Sequence, residues 1–155
     1  MRRALDEARA AARAGEVPVG AVVTRGGEIV ATGRNRMRDG CDPTAHAEMV
    51  AIRAAAERLG TSRLDQCDLW VTLEPCAMCA GAIALSRIAR LYFAASDPKG
   101  GAVLHGPRFF ALPTCHHAPE IYSGIGEEES GALLRDFFRE RRAGDPNLSP
   151  PDGSG

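Results

Sequence analysis

The hydrophobic and polar positions along the chain change their period several times, and each change predicts a secondary-structure element. Two β-branched runs flank Gly26-Gly27 within residues 17–35, which predicts a β-hairpin closed by a tight turn. Elsewhere, apolar positions recur at helical spacing or form short continuous runs. These patterns predict helices over 2–14, 45–59, 75–87 and 127–142, and strands over 68–74 and 90–96. Thr44 is the predicted N-cap of the second helix.

The order of these elements predicts the class of fold. A helix and a hairpin are followed by helix, strand, helix and strand, then by a loop-rich stretch over 100–126 and a final helix. This alternation is typical of an α/β fold in which a central sheet, starting with the N-terminal hairpin, carries helices on both faces. We expect residues 1–142 to form one domain. The tail over 143–155 has very little apolar content to bury and is predicted to be disordered.

Composition narrows the functional classes only slightly. The net charge of the 155 residues is −1, so any contact with a polyanion must come from a local cluster of charges. No apolar run approaches the roughly 20 residues that cross a bilayer, which predicts no contact with a membrane. Five cysteines are more consistent with metal ligands or buried thiols than with a disulfide framework, and they favour the cytoplasm.

Two short stretches carry the candidate chemistry. TAHAEM contains His46 and Glu48, and EPCAMC contains Cys76 and Cys79 at i, i+3 spacing. Each stretch begins a helix that follows a strand, so parallel strands would bring both helix starts to the same edge of the sheet. One His and two Cys leave a tetrahedral Zn²⁺ with one open position, which is typical of a catalytic zinc. Glu48 would then move protons to and from the water that the zinc activates.

Each of these residues also has a simpler interpretation. A C-x-x-C pair alone is as typical of structural zinc or redox chemistry as of catalysis. The remaining cysteines, any of which could close the site as a fourth ligand, are Cys41, Cys67 and Cys115. Glu48 taken alone would most often be an exposed helix charge. The combination of H-A-E with P-C-x-x-C after one crossover is what favours a single split zinc site.

The combination resembles the signature of the zinc-dependent nucleobase deaminases, H-x-E followed by P-C-x-x-C. The resemblance extends further, to the bacterial tRNA-specific adenosine deaminase family, and covers about residues 2–142. The stretches that carry it are VPVGAVV, GRNR, DPTAHAEM, TLEPCAMCAGAI, SRI, DPKGG and LLRDFFRERR. It implies a three-layer α/β/α cytidine-deaminase-like fold with a mixed sheet. It also implies a homodimer with one zinc per subunit, and conversion of the wobble adenosine of an arginine tRNA anticodon to inosine.

The resemblance also implies roles for individual residues. Glu48 becomes the proton shuttle, and His46, Cys76 and Cys79 the zinc ligands. The residues expected to contact the substrate RNA are Asn35, Ala47, Asp97, Lys99, Phe138 and Arg141. Without the resemblance, Asn35 would be interpreted as a turn residue and Asp97 as part of a solvated Asp-Pro turn. Of the adjacent Phe137 and Phe138, one is expected in the core, because neighbouring helical residues point in different directions.

Two other functions remain open at this point. The zinc motif is shared by deaminases of free bases and nucleosides, of which guanine and cytidine deaminases are the leading examples. A zinc-bearing RNA-binding module without catalytic activity is a third possibility. Ammonia release from an anticodon stem-loop, from free guanine and from cytidine would distinguish all three.

Overall fold

The computed structural model describes residues 1–144 and contains four α-helices and five strands in that range. The helices are α1 (Arg2–Arg13), α2 (Ala47–Leu59), α3 (Ala77–Ser86) and α4 (Glu127–Gly144). The strands are β1 (Gly20–Arg25), β2 (Glu28–Arg34), β3 (Cys67–Leu73), β4 (Arg90–Ala95) and β5 (Glu120–Ser123). A short 3₁₀-helix covers Phe109–Ala111. No helix within the described range is long and apolar enough to span a membrane.

The strands form one mixed sheet in the order β2-β1-β3-β4-β5. β1 pairs antiparallel with both β2 and β3, whereas β3, β4 and β5 run parallel. β2 and β3 therefore point the same way although they are not neighbours. Ala21 pairs with Gly33 on one side and with Val71 on the other, so β2 and β3 end at the same edge. This is the arrangement that a split metal site requires.

Helices cover both faces of the sheet, which confirms the three-layer α/β/α prediction. α1 and α4 pack on one face, and α2 and α3 pack on the other. The main core lies between the sheet and α2 and α3, around Leu69, Val71, Leu91 and Phe93. Burial of such apolar side chains, at roughly 25 cal/mol per Å², is the main force that holds the layers together.

Two glycines allow the helices to approach the sheet closely. A Cβ at Gly33 would lie 2.4 Å from the Ala47 carbonyl oxygen and 2.6 Å from the Ala51 nitrogen. At Gly20, a Cβ would lie 2.0 Å from the Ala4 carbonyl oxygen. Because Gly33 has no side chain, α2 can lie close to the sheet, and this distance determines where the residues at the start of α2 are placed.

The structure differs from the sequence prediction at several places. Helix α3 begins at Ala77 rather than at Pro75, because Cys76 has an extended backbone and is the N-cap. Residues 100–126 contain a fifth strand, β5, which pairs parallel with β4. Helix α2 begins later than predicted, with His46 rather than Thr44 as its N-cap, because Thr44 instead hydrogen-bonds Asp42. Helix α4 continues to Gly144, two residues past the predicted end of the domain. Most of the predicted tail, residues 145–155, lies outside the described range.

An aromatic stack crosses the three parallel strands. The register pairs Trp70 of β3 with Tyr92 of β4, and Tyr92 with Tyr122 of β5. Their rings are stacked, with centroids 3.8 Å apart for Trp70 and Tyr92 and 4.9 Å apart for Tyr92 and Tyr122. The Trp70 indole also donates a hydrogen bond to the Thr24 hydroxyl. The stack joins β5 to the rest of the sheet through side chains as well as through backbone pairing.

Candidate active site

Three potential metal ligands converge at the edge where β2 and β3 end. His46 is the N-cap of α2 and Cys76 is the N-cap of α3, while Cys79 lies in the first turn of α3. The His46 Nδ1 lies 3.6 Å from the Sγ of Cys76 and 3.6 Å from the Sγ of Cys79. A tetrahedral zinc with bonds of about 2.3 Å to sulfur and about 2.0–2.1 Å to nitrogen separates such atoms by about 3.5 Å. The three residues therefore fit a zinc ion.

The two thiols differ in how readily each loses its proton. Hydrogen bonds with Cys79 and His46 lower the pKa of Cys76 to about 4, although burial opposes this. The same contact with Cys76, together with burial, raises the pKa of Cys79. The hydrogen bond with Cys76 also raises the pKa of His46. Because thiolate is the form that binds metal, a divalent cation would displace the remaining thiol proton.

Glu48 lies in the first turn of α2, beside these ligands, and is buried rather than exposed. Only 4% of its surface is accessible, and burial raises its pKa to about 7. The nearby Cys76 adds to this rise, whereas His46 and a hydrogen bond with Cys79 oppose it. A carboxyl group whose pKa lies near neutral pH can both accept and donate a proton, as a general acid–base catalyst must. The interpretation of Glu48 as an ordinary surface charge is therefore wrong.

The other three cysteines do not belong to the metal-binding group. Among the described residues, the only cluster of ligand atoms close enough to share a metal ion consists of His46, Cys76 and Cys79. Cys67 is buried at the opposite end of β3, Cys41 is exposed, and the Sγ of Cys115 donates to the His117 carbonyl oxygen. Three protein ligands leave a fourth position open, which is typical of catalytic zinc.

Asn35 and Ala47 link the end of β2 to the start of α2. Asn35 is buried, and its Oδ1 accepts a hydrogen bond of 2.9 Å from the Ala47 N–H. This bond fixes the orientation of the amide, and no group among the described residues accepts from its Nδ2. Ala47 is fully buried. The predicted substrate contacts of both residues remain predictions.

The loop over residues 97–105 carries two more residues that the sequence singled out. The Asp97 Oδ1 accepts hydrogen bonds from the backbone N–H groups of Lys99 and Gly100, so this side chain shapes its own turn. The Lys99 side chain is exposed and forms no ion pair within residues 1–144. The loop is tied to the metal-binding edge, because the Ala102 N–H donates to the Pro75 carbonyl oxygen, next to Cys76.

Glu74 is a residue of this site that the sequence prediction missed. Its side chain is fully buried directly before Pro75 and Cys76. Burial raises its pKa, but hydrogen bonds from Asp97, His105 and Leu104 outweigh this effect and hold the pKa below its usual value. The sequence gives one indication of this role, an acidic residue at the end of an apolar strand. That indication is weak, because a charged residue at a strand end is usually exposed to solvent.

The end of α4 supplies the remaining predicted contacts. Phe137 is buried, whereas Phe138 is 42% exposed, which confirms that one of the two belongs to the core. The Arg141 guanidinium lies 5.3 Å from the centre of the Phe137 ring. Arg141 and Arg142 are exposed and form no ion pair with any residue in the described range. Their role in RNA binding stays a prediction.

The split His-Cys-Cys group, the buried Glu48 and the α/β/α sheet together define a zinc-dependent deaminase. The family described as the cytidine and deoxycytidylate deaminase zinc-binding region matches residues 1–95. The chain therefore belongs to the cytidine and deoxycytidylate deaminase family, and zinc is its cofactor.

Individual members of this family are similar to the chain over almost its whole length. The tRNA-specific adenosine deaminase of Agrobacterium fabrum is 57% identical over 145 residues, which are 94% of this chain and 95% of that protein. A solved structure from work on A-to-I editing by tRNA:A34 deaminases at the wobble position of transfer RNA has a TM-score of 0.85 and 57% identity. That match covers 86% of this chain and 97% of the other. A structure of guanine deaminase from Nitrosomonas europaea is less similar, with a TM-score of 0.76, 27% identity, and coverage of 88% and 81%.

Proposed function

We propose that the protein hydrolyses the wobble adenosine of a tRNA anticodon loop to inosine and ammonia. The observation that carries this proposal is the 57% identity to a tRNA-specific adenosine deaminase over 94% of the chain. The identical residues extend well beyond the zinc motif. This matters because the motif alone does not distinguish an adenosine deaminase from a guanine deaminase. The geometry supports the reaction class, because a buried proton-transfer group lies beside three convergent metal ligands.

His46, Cys76 and Cys79 would hold the zinc ion. When bound, zinc supplies a Lewis acid that lowers the pKa of water to roughly 7. The fold positions these ligands. His46 and Cys76 are the N-caps of α2 and α3, and both helices follow strands that end at the same edge of the sheet. The start of a helix also carries a partial positive charge, which stabilises the thiolates at Cys76 and Cys79.

Glu48 moves the protons. Its carboxylate oxygen takes a proton from the attacking water and delivers it to N1 of the adenine ring. It then takes the second proton of that water and delivers it to the amino group at C6, which leaves as ammonia. The carboxylate is thus regenerated, and the balance is adenosine plus water to inosine plus ammonia. A carboxyl pKa of about 7 suits a group that must accept a proton and then give it up again in each transfer.

Substrate contacts are proposed for Asn35, Ala47, Asp97 and Lys99, which lie at or near the metal-binding edge of the sheet. Asn35 has a free Nδ2 donor within the described part of the chain, and an amide donor suits the acceptor atoms of a purine. Lys99 is an exposed cation able to bind a phosphate. At the end of α4, the exposed Phe138 ring and the Arg141 guanidinium are suited to stacking on a base and to binding phosphate.

An arginine tRNA as the substrate, the cytoplasm as the compartment and a homodimer as the assembly are finer parts of the same proposal. The α3 surface supports the dimer, because Leu85 is 84% exposed and Met78 is 36% exposed on this helix. A groove of about 340 Å³ lies beside Leu85, between α3 and Phe109. Sedimentation at micromolar concentration tests the dimer. Leu85→Asp should shift the protein to a monomer, whereas a monomeric wild-type protein would contradict the proposal.

The decisive experiment compares three substrates with the zinc-loaded enzyme: an anticodon stem-loop with adenosine at the wobble position, free guanine and cytidine. We expect inosine in the stem-loop and ammonia release from that substrate alone. A stem-loop with guanosine at the wobble position is the matched control. Brisk turnover of free guanine together with an unreactive stem-loop would instead favour a guanine deaminase, the alternative suggested by the Nitrosomonas europaea structure.

A further inference from the structure

The loop over residues 97–105 is held by a single buried carboxylate, that of Glu74. The Oε2 atom accepts from the Asp97 N–H at 2.9 Å and lies 2.8 Å from the His105 Nδ1. The Oε1 atom accepts from the N–H groups of Val103, Leu104 and His105 at 3.2, 2.8 and 3.1 Å. The same group thus binds both ends of the loop. Such bonds to a charged acceptor are shorter and stronger than neutral ones.

The backbone of the loop passes directly over this carboxylate. A Cβ built on Gly101 would lie 2.5 Å from the Glu74 Cδ and 2.5 Å from the Asp97 carbonyl oxygen. Only a glycine allows the chain to come this close. Two features therefore determine the loop conformation: both oxygens of the Glu74 carboxylate accept hydrogen bonds, and Gly101 has no side chain that would hold the backbone away from that carboxylate.

We propose that Glu74 is a positioning residue for the substrate: its carboxylate shapes the 97–105 loop and so places Asp97 and Lys99 for contact with the RNA. This inference rests on the proposed function, in which these two residues bind the anticodon loop. Glu74 does not touch the reacting atoms in this scheme. Its effect reaches the substrate through the loop, whereas the metal ligands next to it in sequence act on the chemistry.

A second buried carboxylate provides a matched comparison. Glu16 is 2% exposed and holds another loop, through hydrogen bonds from the N–H groups of Arg38 and Asp39 at 2.7 and 3.0 Å. Both bonds go to Oε1, and Oε2 accepts from no group among the described residues. A glutamine at position 16 can keep its carbonyl oxygen in place of Oε1. At position 74, a glutamine must turn its NH₂ group either toward the Asp97 N–H or toward the N–H groups of Val103, Leu104 and His105, and the donors it faces are left without an acceptor.

The experiment compares Glu74→Gln, Gly101→Ala and Glu16→Gln as zinc-loaded proteins, with kcat and KM measured on the anticodon stem-loop. We expect Glu74→Gln and Gly101→Ala both to raise KM by about tenfold or more. Glu74→Gln leaves a buried donor without an acceptor, which has an effect of this size, and Gly101→Ala places a Cβ against Glu74 and so displaces the loop. The value of kcat should stay within a few-fold of wild type in both. Glu16→Gln should keep both constants within about twofold. His105→Ala, which removes one bond from a half-exposed side chain, should give a smaller rise in KM.

Hydrogen exchange at the Asp97, Val103, Leu104 and His105 amides, the four backbone donors to Glu74, gives a readout that does not depend on activity. Exchange at these amides should be faster in Glu74→Gln and unchanged in Glu16→Gln. If Glu74→Gln fails to fold, Gly101→Ala and His105→Ala carry the same test. Unchanged KM and exchange, or a loss of zinc that accounts for the whole defect, would overturn the proposal. A wild-type enzyme inactive on the stem-loop would instead overturn the proposed function, and the exchange data would still show whether Glu74 holds the loop.

Discussion

The metal-binding group and the surface expected to receive RNA differ in how their side chains are held. Cys79 and Glu48 are buried, and the ligand atoms are fixed to helix starts by the strands that precede them. Lys99, Phe138 and Arg141 are exposed, and the two cations form no ion pair within residues 1–144. The first region has one geometry before substrate arrives. In the second, each side chain loses conformational freedom when it binds, so each contributes little alone.

This difference predicts that substitutions in the first region have all-or-none effects and that those in the second have graded effects. The largest effect is expected for the double variant Cys76→Ala, Cys79→Ala. It removes two of three ligands, so both zinc and deamination should be lost. Metal analysis and inosine formation measure this. Cys41→Ala, at an exposed cysteine outside the group, is the control, and it should keep one zinc per chain. Retention of zinc by the double variant would show that the ligands lie elsewhere.

Glu48→Gln separates the proton shuttle from the metal. An amide of nearly the same shape should preserve the fold and the zinc, but it cannot accept a proton. We expect a loss of about 10²–10⁴ in kcat, the range typical of a general acid–base group, with more if it serves several steps. Single-turnover inosine formation by zinc-loaded protein measures it. Glu57→Gln, on the last turn of the same helix and exposed, is the matched control. Turnover near the wild-type rate in Glu48→Gln would remove Glu48 from the mechanism.

Gly33→Ala tests whether the close packing of α2 against the sheet stabilises the fold. The new Cβ would meet the Ala47 carbonyl oxygen and the Ala51 nitrogen, neither of which can move without shifting α2. We expect a loss of about 1–3 kcal/mol in the free energy of unfolding, the usual effect of overpacking. Denaturant titration with zinc present measures it. Gly144→Ala, where a Cβ meets nothing within 4 Å, serves as the control. Equal stability of the two variants would mean that the close approach at Gly33 does not constrain the helix.

The smallest effect is expected for Arg141→Ala, Arg142→Ala. Each phosphate contact that is lost should reduce the slope of log affinity against log salt concentration by about 0.7–0.9. Zinc content and kcat should stay unchanged. Fluorescence anisotropy with a labelled stem-loop across a salt series measures the slope. Arg63→Ala, an exposed arginine in the loop before β3 at the opposite edge of the sheet, is the control. If both variants give the wild-type slope, α4 does not contact the RNA backbone.

The same contrast explains what the sequence could reveal. The zinc ligands and Glu48 lie within two short stretches, where spacing alone specifies which atoms can meet. Asn35 and Lys99 were singled out only through the family resemblance, because an exposed lysine or a strand-end asparagine has no distinctive local pattern. The order of helices and strands was predicted well, since most long elements are marked either by the spacing of their apolar positions or by Gly and Pro at their ends.

The missed features depend on partners that are distant in the sequence. Strand β5 has only four residues between Pro119 and Gly124 and no buried apolar alternation of its own. Its pairing comes from the register with β4 and from the aromatic stack. Glu74 owes its role to backbone N–H groups 23 to 31 positions away. The error at Thr44 has a local cause, because Asp42 competes successfully for its hydroxyl.

The aromatic stack gives the molecule a built-in optical reporter. Trp70 is the only tryptophan in the chain, and its indole lies against Tyr92 within the sheet. Its emission therefore comes from one known place, on the face of the sheet that packs against α1 rather than the face covered by α2 and α3. A change in intrinsic fluorescence on heating would report melting of the parallel strands. Removal of the metal from an otherwise intact sheet would leave that signal unaltered, so tryptophan emission and metal content distinguish an unfolded variant from a folded one that has lost its zinc.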